Sequence, residues 1–253
     1  VFAGDRSSEF VMRATGRSYQ EIAAMGGGIT ASVAQVERAS VDEIAAHARR
    51  FVRSALGLGT TMMEVKSGYG LTTAGEGKLL EAAHRLAAEG PMEIVTTYLG
   101  AHAVRRGVSQ ADYVEEVIHE QLPALHTKAE FCDVFMDAGY FTADETRRIA
   151  REASALGLKI RLHADELAET DGAATAVELG AYSADHLLKV SPRGIAALAA
   201  THKLTVAGGN LTRTPGPLTI DITAVGTAKR RAVLRRDGAK PGDLLYVTGT
   251  VGS

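Results

Sequence analysis

The sequence predicts an α/β protein with a parallel sheet, followed by a short β-rich tail. Short apolar runs of strand type alternate with amphipathic runs of helix type from about residue 40 to about residue 199. The strand-type runs are mostly apolar, which is typical of parallel strands that helices cover. Beyond about residue 201, alternating patterns and turn residues replace the helical spacing, which indicates antiparallel β structure.

The amino-acid composition indicates which class of protein this is and which kinds of partner it favours. Hydrophobic residues make up 45% of the chain, charged residues 23%, and the formal net charge is -2. This balance is typical of a globular protein with a core, and it favours neither nucleic acid nor a membrane as partner. The single cysteine, Cys132, excludes an internal disulfide and fits a reducing cytoplasm. No signal peptide is recognised, and both ends are expected to be cuts through a longer protein.

The elements follow from apolar spacing and from capping residues. The first forty residues are expected to be loop-rich, with one helical run around residues 19–25 and a flexible break at the glycines 26–28. We expect strands at 60–65, 93–99, 131–136, 158–163 and 183–187. Helices are expected after the capping residues Ser40, Thr73, Ser109, Thr142 and Ser191, with Glu43, Glu76 and Glu145 completing capping boxes.

The strand-helix units number about five before residue 200, fewer than the eight of a (β/α)8 barrel. An open doubly wound sheet needs fewer strands, but no glycine-rich phosphate turn follows a first strand. We therefore expect a partial barrel over 1–200 and a β-rich segment over 201–253. The boundary is expected between about Ala199 and Gly208.

The stretch from Leu158 to Glu166 ends an alternating strand with polar side chains. His163, Asp165 and Glu166 follow where the strand gives way to a loop. A neutral imidazole there can bind a metal, and a carboxylate three residues later can move the proton of a water molecule. A solvated loop whose histidine only caps the strand is an equally open interpretation.

Three histidines, His102, His163 and His186, lie at the ends of predicted strands. In a barrel these ends converge on one mouth, where the imidazoles, with Glu166 and Asp185, can bind a divalent metal or shuttle protons. The alternative is that they cap the rim. The remaining histidines are expected to be exposed on helices or just after them: His47, His84, His119, His126 and His202.

Two further residues are candidates for substrate contact. Tyr69 lies in a glycine-containing loop after a predicted strand, and it would face the mouth unless this loop is an ordinary βα turn. Arg6 lies beside Asp5 and can clamp a carboxylate through two contacts, although a solvated surface arginine explains it as well.

Five motifs, in order and spacing, resemble the imidazolonepropionase family over Val1 to about Ala199. They are GGGI at 26–29, EVKSGYGL at 64–71, TTYLGAHAV at 96–104, LHADE at 162–166 and SADHL at 183–187. The resemblance implies an amidohydrolase-type (β/α)8 barrel, incomplete in this chain, with a small β-sandwich built from both chain ends.

The resemblance also implies roles. His163 matches a metal ligand, Glu166 the residue that handles the proton of the metal-bound water, and His186 a polar catalytic partner. Substrate contacts are implied for Arg6, Tyr69, His102 and Glu166, with Arg6 receiving a propionate. The implied reaction opens the ring amide of imidazolone-5-propanoate to N-formimidoylglutamate in histidine degradation, with one zinc or iron ion. A small-molecule substrate and a possible homodimer complete these expectations.

The chain departs from the family pattern at the metal site. The family also uses a His-x-His pair and an aspartate from other strands, and no His-x-His occurs in this sequence. One imidazole alone binds a catalytic metal weakly. We therefore expect this truncated chain to be inactive, and we expect its partial barrel to have unpaired edges.

Residues from about 202 to 253 resemble a different family, thiamine-monophosphate kinase. The resemblance rests on VAGGNLTRTPGPLTIDITAVGT at 206–227 and LRRDGAKPGDLLYVTGTVG at 234–252. Asn210 stands where many relatives have a magnesium-binding aspartate, Arg236 matches a nucleotide contact, and the glycine-rich start is missing. We do not expect kinase activity. The alternatives to the hydrolase are an ATP-dependent kinase fragment and a non-enzymatic chimeric remnant, joined artificially around residues 203–206.

Overall fold

The structure of the chain is a computed structural model that describes residues 6–18, 21–22, 25 and 27–202. The predicted tail beyond His202, including Asn210 and Arg236, lies outside these residues. The predicted domain boundary, between about Ala199 and Gly208, lies partly outside them as well. The same is true of the predicted helical run at 19–25. Those expectations stay predictions.

The centre of the described part is one parallel sheet of five strands in sequential order. The strands are β1 Met62–Lys66, β2 Glu93–Ala101, β3 Phe131–Met136, β4 Lys159–Ala164 and β5 Ser183–His186. Each strand pairs in parallel with the next. The predicted strands are therefore confirmed within one or two residues at their ends. An order without reversal is that of a (β/α)8 barrel and differs from a doubly wound sheet, whose order reverses.

Helices connect the strands. They are α1 Ser7–Ala14, α2 Ile29–Arg38, α3 Val41–Gly57, α4 Thr73–Glu89, α5 Gln110–Glu116, α6 Leu122–Leu125, α7 Ala143–Ala155, α8 Gly172–Glu178 and α9 Pro192–His202. The single helix predicted from Ser109 to Pro123 is divided by a π-helical turn, Val117–Gln121. Pro123 has no N–H to donate to the preceding turn, so a widened turn before it is physically reasonable.

The loop-rich prediction for the first forty residues is wrong, because they contain α1 and α2. In α2 the apolar residues Ile29, Val33 and Val36 have helical spacing, which the neighbouring glycines obscured. Val36 is fully buried and packs in one cluster with residues of α3 and α4. Gly28 precedes α2 with φ 68°, so the glycine run opens this helix.

Two predicted capping boxes are confirmed and one is wrong. Ser40 and Glu43 cap α3 reciprocally, and α7 begins with the same arrangement. At α4 the capping side chain belongs to Thr72, which accepts a hydrogen bond from the Gly75 N–H at 3.0 Å. The carboxylate of Glu76 turns instead to the loop before the helix, so its spacing from Thr73 imitated a capping box.

The two faces of the sheet differ in polarity. On β4, Ile160, Leu162 and Ala164 face the helices and belong to the main core, whereas Arg161 and His163 alternate onto the inner face. The core between sheet and helices includes the fully buried side chains Tyr98, Tyr113, Leu122, Phe141, Ile149 and Leu162. This apolar face anchors the helices, and the polar inner face is left for ion pairs and for the site.

An ion-pair group on the inner face shows that the sheet is curled. In a flat sheet β1 and β5 would be about 19 Å apart, since neighbouring strands are about 4.8 Å apart. Lys66 of β1 places its Nζ 2.6 Å from Asp133 Oδ2 of β3 and also bonds Asp185 Oδ2 of β5. The combined length of a lysine and an aspartate side chain is much shorter than the distance between β1 and β5 in a flat sheet. The sheet must therefore curl, and its inner face forms a trough.

Within the described ranges, no helix combines the length and the apolar character that crossing a membrane requires.

Glu76 anchors the loop between β1 and α4. Its side chain is fully buried and accepts hydrogen bonds from the N–H groups of Gly68 at 2.5 Å and of Gly70 and Leu71 at 2.7 Å. Burial raises the pKa of Glu76, while the hydrogen bonds oppose that rise. One carboxylate thereby satisfies the otherwise unpaired backbone of the loop that carries Tyr69.

Glu76→Gln tests this anchor. The amide NH2 would face a backbone N–H, so we expect a loss of about 2–3 kcal/mol in the free energy of unfolding, measured by urea denaturation. The control, Glu81→Gln, changes a half-exposed carboxylate on the same helix, and we expect it to change stability by less than about 0.5 kcal/mol. Equal effects in the two variants would contradict the anchoring role.

Gly70→Ala tests the close approach of this loop to α4. A Cβ at residue 70 would lie 2.1 Å from the carbonyl carbon of Gly75 and 2.2 Å from the N of Glu76. Because backbone cannot move as a side chain can, we expect a loss of about 2–3 kcal/mol or more in the same measurement. Gly77→Ala is the control, since its Cβ meets only Leu125 Cδ2 at 3.4 Å and alanine favours a helix by up to ~1 kcal/mol. Equal stability of both variants would refute this prediction.

Candidate active site

A cavity of about 350 Å³ lies at the carboxyl ends of the strands. Six residues predicted from the sequence line it: Arg6, Tyr69, His102, His163, Glu166 and His186. Asp165 and Asp185, which were also candidates, do not line it. Phe135 and Tyr140 add an aromatic wall, with ring centroids 4.0 Å apart. The structure thus brings these side chains together, while the roles assigned to them stay predictions.

The histidine rings form a continuous series across the strand ends. The ring centroids of His163 and His186 are 5.1 Å apart, and those of His102 and His163 are 5.9 Å apart. Tyr69 meets His102 edge-on, with centroids 5.0 Å apart and an interplanar angle of 88°. Convergence of the carboxyl ends of curled parallel strands explains why residues so distant in sequence are neighbours.

His102 is a neutral hydrogen-bond acceptor toward the cavity. Its Nδ1 lies 2.8 Å from the carbonyl oxygen of Gly68, which can only accept, so the ring proton is on Nδ1. The residue is 8% exposed, and burial lowers the pKa of His102 to about 4. At neutral pH the imidazole is therefore uncharged, and Nε2 keeps its lone pair.

Glu166 and His186 form the more solvated side of the cavity. The Oε2 of Glu166 lies 3.4 Å from the Nε2 of His186, and both side chains are partly exposed. His186 ends β5 with φ 70°, in the left-handed region that a non-glycine residue adopts at an energetic cost.

Two buried aspartates hold the loop that carries Glu166. Asp137, directly after β3, accepts hydrogen bonds from the N–H groups of Glu166 at 2.8 Å and of the next two residues. Asp165 accepts from the N–H groups of Thr170 at 2.9 Å and Gly172 at 3.0 Å. Both therefore act on the backbone. The sequence reasoning missed Asp137, whose signal was an acidic residue at a strand end.

His163 contacts a buried charge that the sequence reasoning also missed. Its Nδ1 lies 3.0 Å from the Oδ2 of Asp133, which is fully buried and pairs with Lys66. Burial by itself would raise the pKa of Asp133, but His163 and Lys66 outweigh it and lower the pKa. For Lys66 the effect of burial is outweighed by Asp133 and Asp185, which raise its pKa. The sequence signal was a lone aspartate inside an apolar strand.

Donor atoms for a divalent metal are present at this place. Among the described residues, Asp133, His163 and Asp185 offer ligand atoms within 4.8 Å of one another. Imidazole and carboxylate donors suit zinc or iron. Lys66 already pairs both carboxylates, whereas His163 also lines the cavity. Of these three residues only His163 is left as a metal ligand on the cavity side, because Lys66 occupies the cation position between the two carboxylates.

Arg6 lies on the cavity wall beside the start of α1. Its Nη2 lies 2.6 Å from the Oε2 of Glu9, and the hydrogen bond from Arg6 lowers the pKa of Glu9. The other oxygen of Glu9 accepts from the Gly28 N–H at 3.1 Å. Glu9 therefore joins α1 to the start of α2 and holds the guanidinium at the wall. Arg13, about two turns further along α1, lines the same cavity.

The chain is similar to curated imidazolonepropionases. It is 45% identical over 202 residues to that of Syntrophobacter fumaroxidans, covering 78% of this chain and 48% of the relative. The relative from Halobacterium salinarum is 47% identical over 200 residues, with 79% and 48% covered. That from Alkaliphilus oremlandii is 40% identical over 211 residues, with 82% and 50% covered.

Other comparisons add little. No protein-family model matches the chain. A solved structure of adenine deaminase from Arthrobacter aurescens aligns with a TM-score of 0.49 at 14% identity, covering 65% of this chain and 52% of that chain. The chain spans about half the length of the curated relatives it matches, and it is similar to these imidazolonepropionases over about four fifths of its own length.

Proposed function

We propose that this site is the active site of an imidazolonepropionase-type hydrolase, which opens the ring amide of imidazolone-5-propanoate to give N-formimidoylglutamate. The observation that carries the proposal is the shared cavity, in which a carboxylate, a strained histidine and a neutral histidine face one space. Relatives named imidazolonepropionase, at 40% to 47% identity, support the choice of substrate.

The cavity suits a flat heterocyclic ring. The neutral Nε2 of His102 is an acceptor for a ring N–H, and Tyr69 fixes the plane of that imidazole from its edge. The tilted rings of Phe135 and Tyr140 provide an apolar wall for the face of the ring. These contacts orient the ring without placing a charge against it.

The other end of the cavity suits a carboxylate. Arg6 and Arg13 both line it, so the wall at α1 is cationic. A propionate group approaching Arg6 would share the guanidinium with Glu9, which already holds its position. An arginine kept in place in this way loses less side-chain entropy when it binds a carboxylate.

The chemistry proposed is addition of water to the ring carbonyl and cleavage of the ring C–N bond. A zinc or iron ion held at His163 would supply a water of lowered pKa and would polarise the carbonyl. Glu166 accepts a proton from the attacking water and delivers it to the departing ring nitrogen. His186, 3.4 Å from Glu166, orients the carboxylate for both transfers.

The same proposal includes the identity of the metal and the location of the protein. Zinc or iron is supported by the imidazole donor of His163 at the cavity. A cytoplasmic location is supported by the single cysteine, Cys132, which is buried and free.

Binding of imidazolone-5-propanoate tests the proposal without requiring turnover. We expect saturable binding to the chain, measured by isothermal titration calorimetry or by ligand-observed NMR. His102→Ala should weaken binding about tenfold, because removing the Nε2 acceptor costs about 1.4 kcal/mol. The control is His119→Ala, an exposed histidine outside the cavity, which should bind as the unmodified chain does.

No binding at millimolar ligand, or equal weakening by both variants, would contradict the proposal. A turnover assay with added zinc or iron addresses the expected inactivity. Little or no N-formimidoylglutamate should form, because the sequence has no His-x-His pair. Turnover that Glu166→Gln abolishes would overturn the expected inactivity and support the reaction class.

A further inference from the structure

We infer that Asp133 is a positioning residue: backed by Lys66, it fixes the His163 ring as the Nδ1–H tautomer and leaves Nε2 free toward the cavity. The inference deepens the proposed function and rests on the role of His163 as the nitrogen donor of that site. Asp133 does not line the cavity, so it acts only through His163.

Asp133 holds His163 at two points. Its Oδ1 accepts a hydrogen bond from the backbone N–H of His163 at 3.1 Å, and its Oδ2 lies 3.0 Å from the ring Nδ1. The two residues lie on the neighbouring strands β3 and β4. Because one carboxylate contacts both backbone and ring, it restricts the position of the residue and the rotation of its side chain together.

The contact also selects a tautomer. A neutral imidazole carries one N–H, and a carboxylate beside Nδ1 favours the proton on that nitrogen. The ring N–H does not point closely enough at Asp133 to form a well-aligned hydrogen bond. The tautomer is therefore favoured mainly by the electrostatic attraction between the carboxylate and this N–H. The other ring nitrogen, Nε2, is then unprotonated, and His163 lines the cavity.

Lys66 offsets the free-energy cost of burying the Asp133 carboxylate. The Asp133 side chain is 0% exposed, and a buried carboxylate without a counter-charge is strongly destabilising. Lys66 donates to Asp133 Oδ2 at 2.6 Å and is itself held by Asp185 of β5. The ammonium keeps Asp133 ionised, and an ionised carboxylate offers His163 only acceptors.

This geometry matters because an imidazole binds a metal or accepts a proton only through an unprotonated nitrogen. Solvated histidine can present either nitrogen and rotate freely. Outer-shell carboxylates that orient a ligand histidine typically change metal affinity by about 10–100-fold. Asp133 and Lys66 therefore prepare His163 before any ligand arrives.

The tautomer of His163 in the unmodified chain tests the inference directly. Long-range ¹H–¹⁵N NMR spectra are recorded on ¹⁵N-histidine-labelled chain at about pH 9, above the ordinary histidine pKa of ~6.5. His163→Gln identifies the signal by its loss. We expect a protonated Nδ1 and an unprotonated Nε2. A proton on Nε2, alone or together with one on Nδ1, would overturn the inference without any further variant.

Asp133→Ala separates positioning from general stability. We expect the Nδ1–H preference of His163 to be lost in Asp133→Ala, with a folded chain by circular dichroism. Asp185→Ala is the control, because it removes another carboxylate partner of Lys66 and leaves both contacts of Asp133 with His163. It should keep the Nδ1–H tautomer. A tautomer unchanged in Asp133→Ala, or lost equally in both variants, would contradict a specific role for Asp133.

Neither measurement uses substrate, metal or turnover. A failed substrate-binding experiment therefore contradicts the proposed function, whereas a wrong tautomer contradicts the positioning role alone.

Discussion

The ion pairs of Lys66 across the inner face of the sheet are the interaction on which the site depends. Lys66 joins the first, third and fifth strands by bonding Asp133 and Asp185, which a flat sheet would keep far apart. Burying these charges is costly unless they are paired, so the trough and the ion pairs require each other. Curvature then directs the strand ends toward one space, and the histidines at those ends become neighbours.

Buried carboxylates serve a second purpose at the rim of the trough. Glu76 accepts hydrogen bonds from the loop that carries Tyr69, and Asp137 accepts them from the loop that carries Glu166. Loops normally leave their backbone N–H groups to water and remain mobile. Here each loop is tied to a charge inside the protein, so the side chains at the cavity are presented from a fixed backbone. The chemistry proposed for the site needs such fixed positions.

Local patterns in the sequence predicted much of the fold. The apolar run at β3 and the alternation at β4 identify strands, and Ser40 with Glu43 identifies the start of α3, because these signals act within a few residues. Glu76 was misinterpreted because a capping box and a loop anchor share one spacing. Asp133 was missed because only the curled sheet reveals its partners, Lys66 and His163. The strand-end histidines were found because parallel strands share one end, whereas the roles of the site residues remain predictions.

The ion pair between Lys66 of β1 and Asp133 of β3 should contribute a coupling free energy that stabilises the curled sheet. A double-mutant cycle with Lys66→Met, Asp133→Asn and the double variant, followed by urea denaturation, measures this coupling most directly. We expect a coupling free energy above about 1.5 kcal/mol, as is typical of a buried charge pair. A value below about 0.5 kcal/mol, typical of surface pairs, would contradict it.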